Sequence, residues 1–217
     1  MPWERLDRHG FFQGLWLTMK AAMFSAPRFF AAMPVNQGIS RPLAFFILVS
    51  MFQALVQYFW QMLGLTALMQ IGGGDMMPDP AMTTGMGAGL MGLGSAMMLL
   101  FYPFLLALNL FVTAGIMHVS LLLFQAATRG FEATLRAVAY GFAPIVLAAV
   151  PLPVLAPIVA MVWSLAVIII GCRYVHHTTY VRVGLALMAQ LLFFLLTVSL
   201  LAFFLTQSGV LPQMGSQ

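Results

Sequence analysis

Long apolar stretches without a charge constrain this chain more than any motif in it. The first runs from about Pro42 to Leu68 and carries no acidic or basic residue. Further apolar stretches cover about 93–124, 133–150, 154–172 and 183–205. At 1.5 Å per residue each approaches or exceeds the ~30 Å thickness of a hydrocarbon core. Of the 217 residues only 6% are charged and 62% are hydrophobic, whereas soluble domains carry about 25% charged residues. So few charges cannot cover a soluble surface, and lipid must be part of the solvent. The expected fold is all-α: a polytopic membrane protein, a bundle of about five transmembrane helices with an N-terminal amphipathic interfacial helix.

The chain divides into a cytoplasmic interfacial segment (1–41), a membrane domain (42–206) and a short extracytoplasmic tail (207–217). In the first segment Phe11, Phe12, Leu15, Trp16, Met19, Met23 and Phe24 recur at helical spacing, interrupted by Gln13, Lys20 and Arg28. That pattern predicts a helix lying among lipid headgroups. Pro27 disfavours helix in the residue before it and ends the run. Arg28-Phe29-Phe30 starts a second short turn, closing near Pro34 and Asn36-Gln37-Gly38. Residues 69–92, rich in glycine, proline and aspartate, read as a flexible loop. The second span is long enough to require a tilt, a kink at Pro103 or protrusion into the cytoplasm. The third is the least regular, with Gly141 and Pro144 inside it and Arg136 shortening its apolar part. Spans three and four, joined at Pro151-Leu152-Pro153, read either as two crossings or as a re-entrant hairpin. A polar loop from Arg173 to Arg182 precedes the fifth span.

Charge orients these spans. All nine basic residues fall in the N-terminal segment (Arg5, Arg8, Lys20, Arg28, Arg41), around the second-to-third connection (Arg129, Arg136) or in the fourth-to-fifth loop (Arg173, Arg182). Five spans put these regions on one side, and the positive-inside rule makes that side cytoplasmic. The other face carries only Asp75 and Asp79. The basic residues are sparse and lie between apolar runs, which argues against nucleic acid and for anionic headgroups at the cytoplasmic face. Cys172 is the only cysteine, so no intrachain disulfide forms. No apolar segment with a cleavage site follows the charged N-terminus, so no cleavable signal is expected.

Between His118 and Arg182 the chain resembles the Yip-type (Ypt-interacting protein) membrane domain, in its prokaryotic form. The resemblance rests on His118, Gly130-Phe131, Arg136, Ala139-Tyr140, Ala143-Pro144, Pro151 and Pro153, Trp163, Gly171 and His176. Pro27-Arg28-Phe29-Phe30 and Pro42 extend it over nearly the whole chain. It implies five spans and a cytoplasmic N-terminus. Eukaryotic members associate with Rab-type GTPases and with one another. Their Asp-Leu-Tyr-Gly-Pro and Gly-Tyr-Gly motifs are absent here, so that activity is not carried over.

Several polar groups fall inside the spans. Gln53, Gln57 and Gln61 lie at i, i+4 and i+8, on one helix face. They read as a polar path or, more commonly, as interhelical hydrogen bonding. Asn109, Thr113 and His118 form a second set. An intramembrane histidine marks a functional site by default; here it reads equally as a structural donor to a carbonyl or to Tyr140. His118 lies within reach of His176 or His177, but no metal-ligand spacing supports a zinc or copper centre. Pro144 leaves the carbonyl of Tyr140 without its usual helical donor, as in a broken transporter helix or a static kink. The methionines around 69–98 suit Cu(I) less well than they suit lipid contact and gap-filling. Candidate binding residues are thus Gln53, Gln57, Gln61, Asn109, His118, Tyr140, Pro144 and His176, with no catalytic set, metal site or cofactor expected.

With no nucleophile and base in defined geometry, the chain reads as a non-enzymatic protein. It would scaffold membrane proteins or lipids, through membrane-protein partners or as a homo-oligomer, in a bacterial inner membrane. The alternative is a small-solute or ion transporter or channel, working as an oligomer through Gln53, Gln57, Gln61, Asn109 and His118.

Overall fold

A computed structural model describes residues 1–34, 36–62, 86–152 and 154–207. Among them the regular elements are all helical. Three short helices, α1 (Leu6–His9), α2 (Phe11–Phe24) and α3 (Ala26–Ala31), precede α4 (Ser40–Met62) and α5 (Met86–Leu123). Then come α6 (Gly130–Gly141), a 3₁₀ segment (Ala143–Ala149), α7 (Leu155–His176) and α8 (Tyr180–Gln207). Among the described residues five stretches are long and apolar enough to cross a membrane: Ser40–Trp60, Leu100–Leu123, Gly130–Ala149, Leu155–His176 and Tyr180–Phe204. The chain is therefore a multi-pass, all-α membrane protein.

Three boundaries differ from the sequence reading. Residues 86–92, expected in the loop, form the first turns of α5, which continues through Pro103. Glycine there is tolerated because membrane helices accommodate it more readily than soluble ones. The polar loop at 173–182 contracts to 177–179, because Arg173 and His176 belong to the last turn of α7 and Arg182 to α8. His177 takes the left-handed conformation (φ 51°) that closes α7. The methionines and aspartates between 63 and 85 lie outside the described residues.

The third span is two elements in series. The N–H that Tyr140's carbonyl would ordinarily receive belongs to position 144, where proline has none, so the α-helix stops at Gly141. The chain continues as a 3₁₀ segment with Pro144 in its first turn. Twelve α-helical and seven 3₁₀ residues give a length of about 32 Å at 1.5 and 2.0 Å per residue. This span runs beside α4. At one end Glu132 Oε1 accepts from the backbone N–H groups of Gln37 and Gly38, both at 3.0 Å. At the other, Trp60 Nε1 donates to the Ala149 carbonyl at 2.9 Å and Gln57 donates to that of Ala148.

Helix α6 is the core of the molecule: Ala133 through Gly141 are all buried. Close packing explains two glycines. A Cβ at Gly141 would stand 2.4 Å from Ile168 Cγ1 and 3.2 Å from its Cα, so α6 and α7 touch there. A Cβ at Gly171 would stand 3.0 Å from the Phe30 ring, which α3 lays against α7. The N-terminal helices are thus part of the packing. Helix α2 buries Gly14, Thr18 and Ala22 at four-residue intervals, while Phe12, Trp16 and Phe24 point outward. Its small face docks on the protein and its aromatic face is left for another environment.

Candidate functional site

Two polar clusters occupy α6, and both are closed by residues far away in the chain. The first centres on Arg136, whose side chain is 0% exposed. A bare guanidinium cannot be buried in an apolar bundle without a counter-charge. Glu4 supplies it from the N-terminal segment. Arg136 Nη1 and Nη2 donate to Glu4 Oε1 at 2.8 and 2.9 Å, and Nη1 also donates to the Pro34 carbonyl at 3.0 Å. Tyr140 Oη donates to the same Glu4 oxygen at 3.1 Å. Nε lies 3.3 Å from Glu132 Oε1, one helical turn away. Trp3 fixes the approach of Glu4: its backbone N–H donates to Thr18 Oγ1 at 2.9 Å and its indole N–H to the Arg41 carbonyl at 2.8 Å.

The second cluster joins His118 of α5, Thr134 of α6 and His176 of α7. His118 Nδ1 lies 2.8 Å from Thr134 Oγ1, which lies 2.9 Å from His176 Nε2. Arg129's backbone N–H donates to His176 Nδ1 at 3.2 Å. A backbone amide can only donate, so His176 Nδ1 accepts and its proton sits on Nε2. His176 Nε2 then donates to Thr134, and the Thr134 hydroxyl donates on to His118 Nδ1. One backbone amide therefore sets the direction of the whole chain of hydrogen bonds. Thr128 Oγ1 donates to the His176 carbonyl and completes the end of α7.

The predicted residues scatter. His118 and His176 meet, with ring centroids 6.4 Å apart, but through Thr134 rather than around a metal; His177 is exposed outside the cluster. Tyr140 bonds Glu4, not His118. Pro144 is buried at the helix break. Gln57 caps the 3₁₀ segment, Gln53 is half-buried on α4, and the Gln61 side chain lies outside the described residues. Asn109 is exposed on α5. A cavity of about 600 Å³ between α5, α7 and α8 is lined by Ile116, Leu165, Leu187, Met188 and Phe194 among others, and by none of the predicted residues. Glu4 and Thr134 were missed. The signal for Glu4 was present: an arginine inside an apolar span needs an acid, and only Glu4, Asp7 and Glu132 share its predicted side. Thr134 carried no signal, because a lone threonine in a helix is ordinary.

Other residues of the family-like pattern gain structural roles. Trp163 Nε1 donates to the Met23 carbonyl at 3.3 Å and its ring meets Phe24 edge to face at 5.3 Å, tying the end of α2 to α7. No curated protein and no solved structure matches the chain. The family profile of the Yip1 domain matches residues 20–203, without assigning a branch. The chain belongs to the Yip1-domain family.

Proposed function

We propose that this protein is a non-catalytic scaffold that organises membrane proteins or lipids through its lateral surface. The observation that carries this reading is the contrast in exposure of α8. From Leu191 to Phe204 its side chains are exposed, and they are mostly leucine and phenylalanine. A helix apolar all round and so little covered by its own bundle offers a face to lipid or to another membrane helix. The polar groups of α6, by contrast, are turned inward onto one another and leave no shared path with Gln53, Gln57 or Asn109, which favours a scaffold over a transporter.

The N-terminal segment is assigned to the cytoplasmic side of a bacterial cytoplasmic membrane. Arg129 beside His176, Arg182 Nη1 on the Gln125 carbonyl, and Glu132 beside Gln37 gather the basic segments at one end of the bundle. That clustering supports the positive-inside assignment. The missing eukaryotic motifs support the choice of membrane. Photo-crosslinking residues placed at Leu195 and Phe204 test the scaffold reading in native membranes. Discrete protein adducts, or enrichment of one lipid class, are expected; adducts to bulk lipid alone, in proportion to its abundance, overturn it. Cys172 is buried, so a cysteine introduced at Leu152 gives a clean label: reaction from the extracytoplasmic side is expected.

A further inference from the structure

Two turns meet at one end of the bundle: 124–129 between α5 and α6, and 177–179 between α7 and α8. Thr128 and the Arg129 N–H both bond His176, and Arg182 Nη1 donates to the Gln125 carbonyl at 3.3 Å. Arg129 and Arg182 are exposed on these turns. Arg173, in the last turn of α7, lies over the rings of Tyr174 and Tyr180 at 4.5 and 4.2 Å and adds a third positive charge. Beyond residue 80 the one acidic side chain of the sequence is Glu132. It is already engaged, by the N–H groups of Gln37 and Gly38 and by Arg136. Among the described residues no carboxylate pairs with Arg129, Arg173 or Arg182. Uncompensated guanidinium groups at the ends of spans attract anions at headgroup depth. Arg182 uses one nitrogen on Gln125 and keeps its other donors, and the Arg129 guanidinium has no hydrogen bond among the described residues. A guanidinium fork matches the oxygens of a phosphate.

The same helices carry two apolar grooves leading away from that end. One, of about 460 Å³, lies between α5 and α8 and is lined by Leu123, Val119, Gly115 and Val112 of α5 with Ala189 and Phe193 of α8. Leu123 is two residues from Gln125, whose carbonyl holds Arg182. At 1.5 Å per residue, Leu123 to Val112 covers about 16 Å of hydrocarbon depth. The other groove is the cavity of about 600 Å³ between α5, α7 and α8, and the two share Ile116 and Phe193. A cationic surface next to two adjoining apolar grooves has the outline of a single diacyl lipid. We propose that this end of the bundle binds an anionic diacyl phospholipid, its phosphate on Arg182 and Arg129 and its two acyl chains in the grooves. A soluble phosphate leaves both grooves unused, so the membrane lipid is the occupant. The site stands apart from the scaffold reading: neither groove is lined by Leu195 or Phe204, so the crosslinks placed there and this binding fail independently.

The test is native mass spectrometry of the full chain released from detergent with equimolar phosphatidylglycerol and phosphatidylcholine of matched acyl chains. Preferential retention of phosphatidylglycerol by about tenfold is expected, the equivalent of one charge-assisted hydrogen bond. Arg129→Gln with Arg182→Gln abolishes the preference. Arg129→Gln alone, which breaks no bond within the described residues, keeps the thermal unfolding midpoint and still lowers the preference by about threefold. Arg8→Gln, at an exposed position outside both turns, leaves it unchanged. A Cβ at Gly115 meets nothing within 4 Å, so Gly115→Leu fills the α5–α8 groove without a clash and lowers retention of both lipids. Millimolar glycerol phosphate does not displace the lipid. Equal retention of the two lipids by the unaltered chain overturns the proposal, as does a preference that survives in the double arginine variant. An equal fall with Arg8→Gln overturns it in favour of diffuse surface charge, and displacement by glycerol phosphate overturns the lipid as occupant.

Discussion

The third and fifth spans share a bilayer but obey different solvents. In the most apolar stretch of the third, 67% of residues are buried; in the fifth, 6% are. The third is the less hydropathic, at 1.3 against 2.4. The polar residues of the third, Thr134, Arg136 and Tyr140, are tolerated because neighbouring helices and the N-terminal segment supply most of their partners, with Glu132 one turn away on the same helix beside Arg136 Nε. The fifth meets apolar surroundings along its second half, and its composition is mostly leucine and phenylalanine. Hydropathy does not rank the other spans: the fourth is the most hydropathic, at 2.5, and is still 39% buried. Of the five, however, the least hydropathic is the innermost. The inverse holds in soluble proteins, where the most apolar segment is the core.

Substitutions that separate the two spans by size of effect test this contrast. The largest effect is expected at the ion pair. Glu4→Ala leaves Arg136 buried with only the more distant Glu132, and should cost about 3–5 kcal/mol in a reversible unfolding assay in mixed micelles. The double variant Glu4→Ala with Arg136→Met should recover most of that loss, since it removes the charge along with its partner. A cycle without coupling between the two positions breaks the assignment of Glu4 as counter-ion.

Next comes close packing. Gly141→Val forces its side chain against Ile168, and about 1–3 kcal/mol of destabilisation is expected by thermal unfolding. Of similar size, Thr134→Val removes the hydroxyl that both donates to His118 and accepts from His176. A loss of about 1–3 kcal/mol is expected, recovered by Thr134→Ser. Imidazole nitrogen shifts of His176 measured by solid-state NMR check the direction of the chain: a protonated Nε2 and a bare Nδ1 are expected, and the opposite tautomer contradicts it.

The smallest effect belongs to the fifth span. Leu195→Ala or Phe204→Ala should change stability of the isolated protein by no more than about 0.5 kcal/mol, since neither side chain is buried in the bundle. A larger loss in membranes than in dilute detergent would sharpen the contrast, by showing that this surface is covered when the protein is among its neighbours.

Much of the architecture was legible along the chain. The apolar runs gave the five spans, the Pro27 signal gave the break between α2 and α3, and Gly141 with Pro144 marked the irregular third span. The detail at that break was not legible, because a proline reports where the α-helix must stop but not which geometry follows. Nor did periodicity reveal which face of α2 turns inward. The large aromatics marked the side expected to meet lipid headgroups, but nothing marked Gly14, Thr18 and Ala22 as the residues that allow close approach to the bundle. Of the candidate site, His118, Tyr140 and His176 were visible as polar atoms in apolar context, whereas Thr134 between the two histidines was not, and Glu4 stood only as one of three acids open to Arg136.

What the sequence alone determined is the solvent: a chain with so few charges and such long apolar runs can satisfy its backbone only as helices in lipid. What only the tertiary structure decided is which polar group satisfies which. Hydropathy and spacing are properties of neighbours in sequence, whereas Glu4 and Arg136 are joined across 132 positions and His118 and His176 through a threonine on a third helix. Those choices follow from how the helices pack, and packing brings together atoms whose separation along the chain carries no pattern.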